Sequence, residues 1–274
     1  MNSNESAKSR GVLLFAFNST RVDYVAIADQ ASRLIEHNLK LPITIVTDHN
    51  ADLKFNYDQV IRTDSKTGNI RIGRNNVPYE WKNFDRYSAY KLSPYDETVL
   101  LDTDYLMLDQ SILKLFDQIT DYRLQYHMQT PKDLNKDSMS NNGLPMIWAT
   151  VVLFKKSPVS EMFFNLIGRI QKNYTYYRTL FGARDTSYRN DFAFSMANII
   201  LNGYNSVPEK TIPWPMTTIE DTVDTIELKD DWIVVKYRDR DRADVIYRQN
   251  LHVMDKVYLA SDRFVKLVDE VCNG

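Results

Sequence analysis

Apolar positions recur along this chain in two rhythms. Residues 11–17, GVLLFAF, form an unbroken apolar run bounded by polar residues, which predicts a strand buried on both faces. After NSTR, the residues Val25, Ile27, Ala28, Ala31, Leu34 and Ile35 return at helical spacing. The pattern predicts a helix over 22–39, with Ser19 or Thr20 as its N-cap and Pro42 as its stop. ITIVTD, residues 43–48, predicts a second buried strand, which completes a β-α-β unit and implies parallel pairing with a right-handed crossover. QVIR, residues 59–62, predicts another strand, followed by a polar loop to residue 76.

Further along, residues 81–92 read as a helix closed by Pro94. ETVLL, residues 97–101, reads as a strand, with YLMLD continuing extended after two aspartates. SILKLFDQI is expected as a short helix, YRLQYHM as a strand and residues 131–143 as a polar loop. MIWATVVLFKKS predicts a strong strand. The next segment predicts a helix with Pro158 in its first turn. RNDFAFSMANIILNGY predicts a second helix, ended by Gly203. DWIVVKY and ADVIYR predict a hairpin with a charged turn, and DRFVKLVDEV a terminal helix. The expected fold class is α/β: a mostly parallel central sheet flanked by helices, with a small antiparallel hairpin.

Composition narrows the partners more than the fold. The chain has 274 residues, 43% hydrophobic and 26% charged, with a formal net charge of −2. That balance gives no global reason to expect nucleic acid or an anionic membrane as partner. A single cysteine, Cys272, excludes an internal disulfide framework and a cysteine-based zinc cluster. The apolar run at 11–17 is too short for a membrane span or secretory signal, so a cytoplasmic protein is expected, with residues 1–10 a disordered tail and 11–274 one domain.

The chemistry concentrates where the strand at 97–101 runs into Asp102 and Asp104. Carboxylates at i and i+2 of an extended strand share a side. Held close they repel, and a divalent cation relieves that repulsion; oxygen ligands suit Mg²⁺ or Mn²⁺. A second D-x-D triplet, residues 239–241, lies in the charged hairpin turn and reads as solvated surface. His252, just after a strand, is a plausible third ligand and tilts preference toward Mn²⁺; Lys256, four residues on, could neutralise a phosphate.

These segments together resemble the glycosyltransferase A (GT-A, Rossmann-like) fold, of the glycogenin and galactosyltransferase type (family 8-like). The resemblance is carried in order by DRYSAYKLSPYDE, by YDETVLLDTDYLML, by RNDFAFSMANIILNG and by LHVMDK, which is similar to the family's H-F-x-G-x-x-K segment. Departures are Thr103 in place of the usual alanine, a missing glutamine before Asp191, a missing glycine after His252, and a lysine that comes early.

The resemblance implies a Mn²⁺-dependent transfer, with Mg²⁺ as the alternative metal. A sugar would pass from a nucleotide diphosphate sugar, UDP-linked, to an acceptor hydroxyl with retention. It implies that Phe17, Asn18, Thr20 and Tyr24 line the base and ribose pocket, with Asp48 near the base. Arg86 and Lys91 would face the diphosphate or donor sugar. Asp102 would touch ribose and metal, Asp104 and His252 the metal, and Lys256 a phosphate. Asp191 could be a base on the acceptor, a partner of the sugar, or a helix cap. The acceptor could be a glycan, a protein side chain or a hydroxylated DNA base, and the oligomeric state is open.

Rival activities each lack a requirement: AFNSTR carries no glycine-rich loop for a sugar nucleotidyltransferase, and GVLLFAF ends without a nucleophilic aspartate for a phosphohydrolase. A non-catalytic binding module need not keep the metal ligands. Trp81, Trp148 and Trp214 read as core or as subsite edges, and residues 174–190 as acceptor surface, lid or helix junction.

Overall fold

The computed structural model describes residues 9–64, 69–72, 78–83, 85–131, 134–135, 138–140, 143–184, 187–203, 207–220 and 222–274. The chain opens with β1 (Arg10–Ala16), α1 (Tyr24–Leu39), β2 (Ile43–Asp48) and β3 (Gln59–Thr63). A short hairpin of β4 (Ile70–Ile72) and β5 (Pro78–Glu80) precedes one helical turn, α2 (Ala89–Leu92), then β6 (Glu97–Leu101) and β7 (Tyr105–Leu106). Next come β8 (Tyr122–Gln125), β9 (Met128–Gln129), β10 (Leu134–Asn135) and the long β11 (Trp148–Lys155). Three helices follow: α3 (Pro158–Lys172), α4 (Tyr174–Phe181) and α5 (Asn190–Asn202). The C-terminal part holds β12 (Met216–Ile219), β13 (Val223–Lys229), β14 (Trp232–Tyr237), β15 (Ala243–Tyr247), β16 (Leu251–Val253), α6 (Lys256–Leu259) and α7 (Asp262–Asn273).

The central sheet has six strands in the order β3-β2-β1-β6-β11-β8. The first four are parallel, and β11 runs antiparallel to β6. β1 shows why an unbroken apolar run suits this position. Its side chains alternate between two cores, Leu13 and Phe15 on one face, Val12, Leu14 and Ala16 on the other. The first face packs beneath α3 and α5, where Phe163, Phe164 and Phe194 meet Phe154 of β11. The second face packs beneath α1, through Val25, Ala28 and Ile35. A separate antiparallel sheet, β13-β14-β15, lays Ile226, Ile233, Val235 and Ile246 against Phe264, Leu267 and Val268 of α7.

A five-stranded sheet, β10-β9-β12-β16-β7, matters most for the site. The chain leaves β6 in the central sheet, turns at 102–104, and enters β7 in this second sheet. Asp102 and Asp104 therefore sit in a turn, closed by the Tyr105 amide donating to the Asp102 carbonyl at 3.2 Å, and not along a continuing strand.

Other expectations change in the same local way. Asp23, not Ser19 or Thr20, caps α1: its carboxylate accepts from the Ala26 amide at 2.9 Å. The Ser19 hydroxyl instead accepts the Arg21 and Val22 amides and folds the loop after β1. Of the expected helix over 81–92, the structure shows a 3-10 turn, Arg86–Ser88, plus α2; the Trp81 amide donates to the Asn69 carbonyl at 2.8 Å, and residue 84 lies outside the described residues. The expected hairpin gains a third strand, β13. The segment 174–181 is helical, ended by Gly182 in the left-handed region. Residues 1–8 of the expected tail lie outside the described residues, while Arg10 already pairs with Glu97 in the central sheet. Parts of the two expected polar loops, 65–68, 73–77, 132–133, 136–137 and 141–142, also lie outside them.

Candidate active site at the acidic turn

A cleft of about 380 Å³ opens where β1 and β6 end. Its floor carries Asp102, Thr103 and Asp104; the loop after β1 and the first turn of α1 form one wall, and Trp81, Lys82 and Asn83 another. Ends of parallel strands are where such sheets receive ligands, because loops diverge there and leave a crevice.

Four separate stretches of chain converge on the turn. Arg86, 1% exposed, reaches it from the 3-10 segment and donates through Nη1 to Asp102 Oδ1 at 2.6 Å. The Asp102 amide donates to the Thr150 carbonyl of β11 at 2.9 Å, which fixes the turn to the central sheet. The Asp104 carbonyl accepts from the Val253 amide at 2.9 Å, which ties the same turn to β16. In that sheet His252 stands opposite Tyr105, so its Nε2 lies 3.6 Å from Asp104 Oδ2, while its Nδ1 meets the Thr218 hydroxyl at 3.2 Å. Lys256, the first residue of α6, places its ammonium on Asp104 Oδ2.

The electrostatics follow from these contacts. Burial pushes the Asp102 carboxyl above its ordinary value, against the pull of Arg86 and with a further push from Asp104. Burial would do the same to Asp104, but Lys256 and His252 together outweigh it and hold that carboxyl well below the usual range.

Asp191 comes from the start of α5. Its Oδ1 accepts the Ala149 amide at 3.0 Å, and its Oδ2 lies 3.3 Å from Arg189 Nη2. The N-cap position is Arg189, so Asp191 does not cap its own helix. Asp191 instead pins α5 to β11 with its carboxylate at the cleft wall.

Phe17, Thr20 and Tyr24 line the cleft. Asn18 does not: its Oδ1 accepts the Val25 amide at 2.9 Å and steadies the start of α1. With Asp48 it borders a neighbouring depression that shares Lys82 with the main cleft. Lys91 is exposed on α2, which turns it away, and it lines neither hollow. Trp148 packs, partly buried, against two of the cores, and Trp214 against one of them. Trp81 is the tryptophan on the cleft wall. Arg21, Lys82 and Asn83 also line the cleft and carried no sequence signal, because they stand on loops without a motif; Asn190, beside Asp191, lines it too but was given no role.

The donor chemistry suits a hard divalent cation. Asp102 and Asp104 share one turn, the His252 imidazole lies 3.6 Å from Asp104 Oδ2, and Asp104 Oδ1 is a buried oxygen with no hydrogen-bond partner among the described residues. Among those residues, however, no three His, Cys, Asp or Glu side chains stand ready in a metal-holding geometry. The position on Asp104 Oδ2 is taken by the Lys256 ammonium.

No protein-family profile matches the chain, and no curated protein does. Among solved structures, the apo form of the glycosyltransferase GlyE of Streptococcus pneumoniae TIGR4 overlaps 72% of this chain at 14% identity and a TM-score of 0.39. A second structure of GlyE overlaps 71% at 15% identity and a TM-score of 0.38. The overlap covers 44% of the GlyE chain in both cases, so this chain spans less than half of those structures. No helix among the described residues is long and apolar enough to cross a membrane.

Proposed function

We propose that the protein is a glycosyltransferase, moving a sugar from a nucleotide diphosphate sugar to an acceptor hydroxyl in the cleft above the acidic turn. One observation carries this reading: Asp102, Asp104, His252, Lys256 and Arg86, far apart in sequence, meet at one strand end beside a nucleotide-sized hollow. Asp102, Asp104 and His252 would hold Mn²⁺, or Mg²⁺. The metal would offset the charge that develops on the departing diphosphate.

The chain's own residues divide the remaining work. Arg86 aims Asp102 through its ion pair. Lys256 offers a point charge to a phosphate. Phe17, Thr20 and Tyr24 form the wall for base and ribose. Asp191, held by the Ala149 amide, presents an acceptor oxygen to the donor sugar or the incoming hydroxyl. No acid is needed at the leaving group, because a diphosphate leaves as an anion. A UDP-linked donor and retention of configuration are what the resemblance implies.

The test is incubation with Mn²⁺ and a panel of nucleotide sugars, reading slow donor hydrolysis. Activity on one donor, lost in Asp104→Ala with circular dichroism unchanged, supports the assignment. Failure of every nucleotide sugar either to be hydrolysed or to raise thermal stability removes it.

A further inference from the structure

Lys256 stands where a metal-bound carboxylate would need room. Building on the transferase reading, we propose that Lys256 is a resident, displaceable cation of the acidic turn. Divalent metal and nucleotide diphosphate then bind cooperatively, because the diphosphate draws the ammonium off Asp104 and frees that carboxylate for the metal.

The two cations on the turn are anchored differently. Arg86 is 1% exposed, and its Nη2 also reaches the Thr150 carbonyl of β11 at 3.4 Å, which anchors its pairing with Asp102. Lys256 is 22% exposed, and among the described residues its ammonium has one other contact, the Val253 carbonyl at 3.4 Å. Its backbone is tied down all the same. The adjacent Asp255 carboxylate accepts the Val257 amide at 3.0 Å and the Val223 amide at 2.8 Å, and pairs with Arg238 at 2.6 Å. Only the flexible stem of Lys256 is left to swing, and a compact ammonium on four methylenes suits that.

Asp104 is equally prepared for a change of partner. Oδ2 carries the ammonium while Oδ1 is buried with no hydrogen-bond partner among the described residues, an arrangement that is costly unless a ligand arrives. With the Lys256 ammonium on Asp104 Oδ2, the turn has no three His, Cys, Asp or Glu side chains in a metal-holding group among the described residues. A metal arriving alone must evict a cation into water. A metal arriving with a diphosphate gives that cation a new anion, and the coupling is reciprocal.

The test reads Mn²⁺ binding to the metal-free protein by electron paramagnetic resonance, with no nucleotide or turnover. Lys256→Met should bind Mn²⁺ at least about tenfold more tightly than the parent, and adding Asp104→Asn should abolish that gain. Lys82→Met, which removes the same charge from the cleft without touching Asp104, should stay within about twofold. Equal Mn²⁺ affinity in the parent and Lys256→Met overturns the inference and leaves the transferase reading intact. An equal gain in Lys82→Met also overturns it, since charge and not occupancy would then be the cause. If no variant binds Mn²⁺ while all remain folded, the metal site itself is wrong and the inference falls with it.

Discussion

Arg86 offers the sharpest test of how the turn is held. Its guanidinium is buried to 1% exposure and pairs with Asp102, itself 29% exposed, at 2.6 Å. Replacing it by methionine keeps most of the packed stem and removes the charge. Breaking a buried pair from one side costs about 3–5 kcal/mol, because the remaining charge is left uncompensated. Water reaches part of Asp102, which lowers the expectation to about 2–3 kcal/mol. For a chain of this size that corresponds to a fall in Tm of about 5–10 °C.

Urea unfolding of Arg86→Met, Asp102→Asn and the double variant gives the coupling directly. Each single variant strands one buried partner, so the double variant should be less destabilised than the sum of the singles by about 2 kcal/mol. Arg86→Met within about 0.5 kcal/mol of the parent, or a cycle with no coupling, would show that the pair does not hold the turn.

Three further outcomes follow from the same contacts. Asp191→Ala should lose about 1–3 kcal/mol by leaving the Ala149 amide without its acceptor, while Asp191→Asn keeps an oxygen there and should lose less; thermal melts of both decide it. Gly168→Ala would place a Cβ 2.7 Å from the Tyr87 ring, so overpacking of about 1–3 kcal/mol should exceed the helix-propensity gain of about 1 kcal/mol, lowering Tm and, by moving the neighbour of Arg86, slowing donor hydrolysis. Lys91→Ala, on the exposed side of α2, should leave donor hydrolysis unchanged and stability within about 0.5 kcal/mol; a large loss of hydrolysis would restore Lys91 to the site.

The sequence displayed those elements whose burial imposes a pattern. β1, β2, β6 and β11 are apolar on both faces, and α1, α3 and α5 carry apolar residues at helical spacing. β13 was hidden because most of its residues are half-exposed and polar, with Val223 and Ile226 alone fully buried. β7 was misread because nothing local says that a chain changes sheets: its pairing with β16 joins residues far apart in sequence. Around the acidic turn, Asp102, Asp104, His252 and Lys256 were legible as a chemical set. Asn18 and Lys91 were not separable from them, since a single amide contact and the short turn of α2 decide where they point.

The turn at 102–104 also acts as a rivet. Through Thr150 it belongs to one sheet, and through Val253 to another, so the carboxylates keep their spacing only while both sheets keep their registration. A side chain trimmed in β12 or β16, well outside the hollow, would let the imidazole slide against the acids. Activity in this molecule should therefore fade before unfolding begins, as the joint between its two sheets loosens.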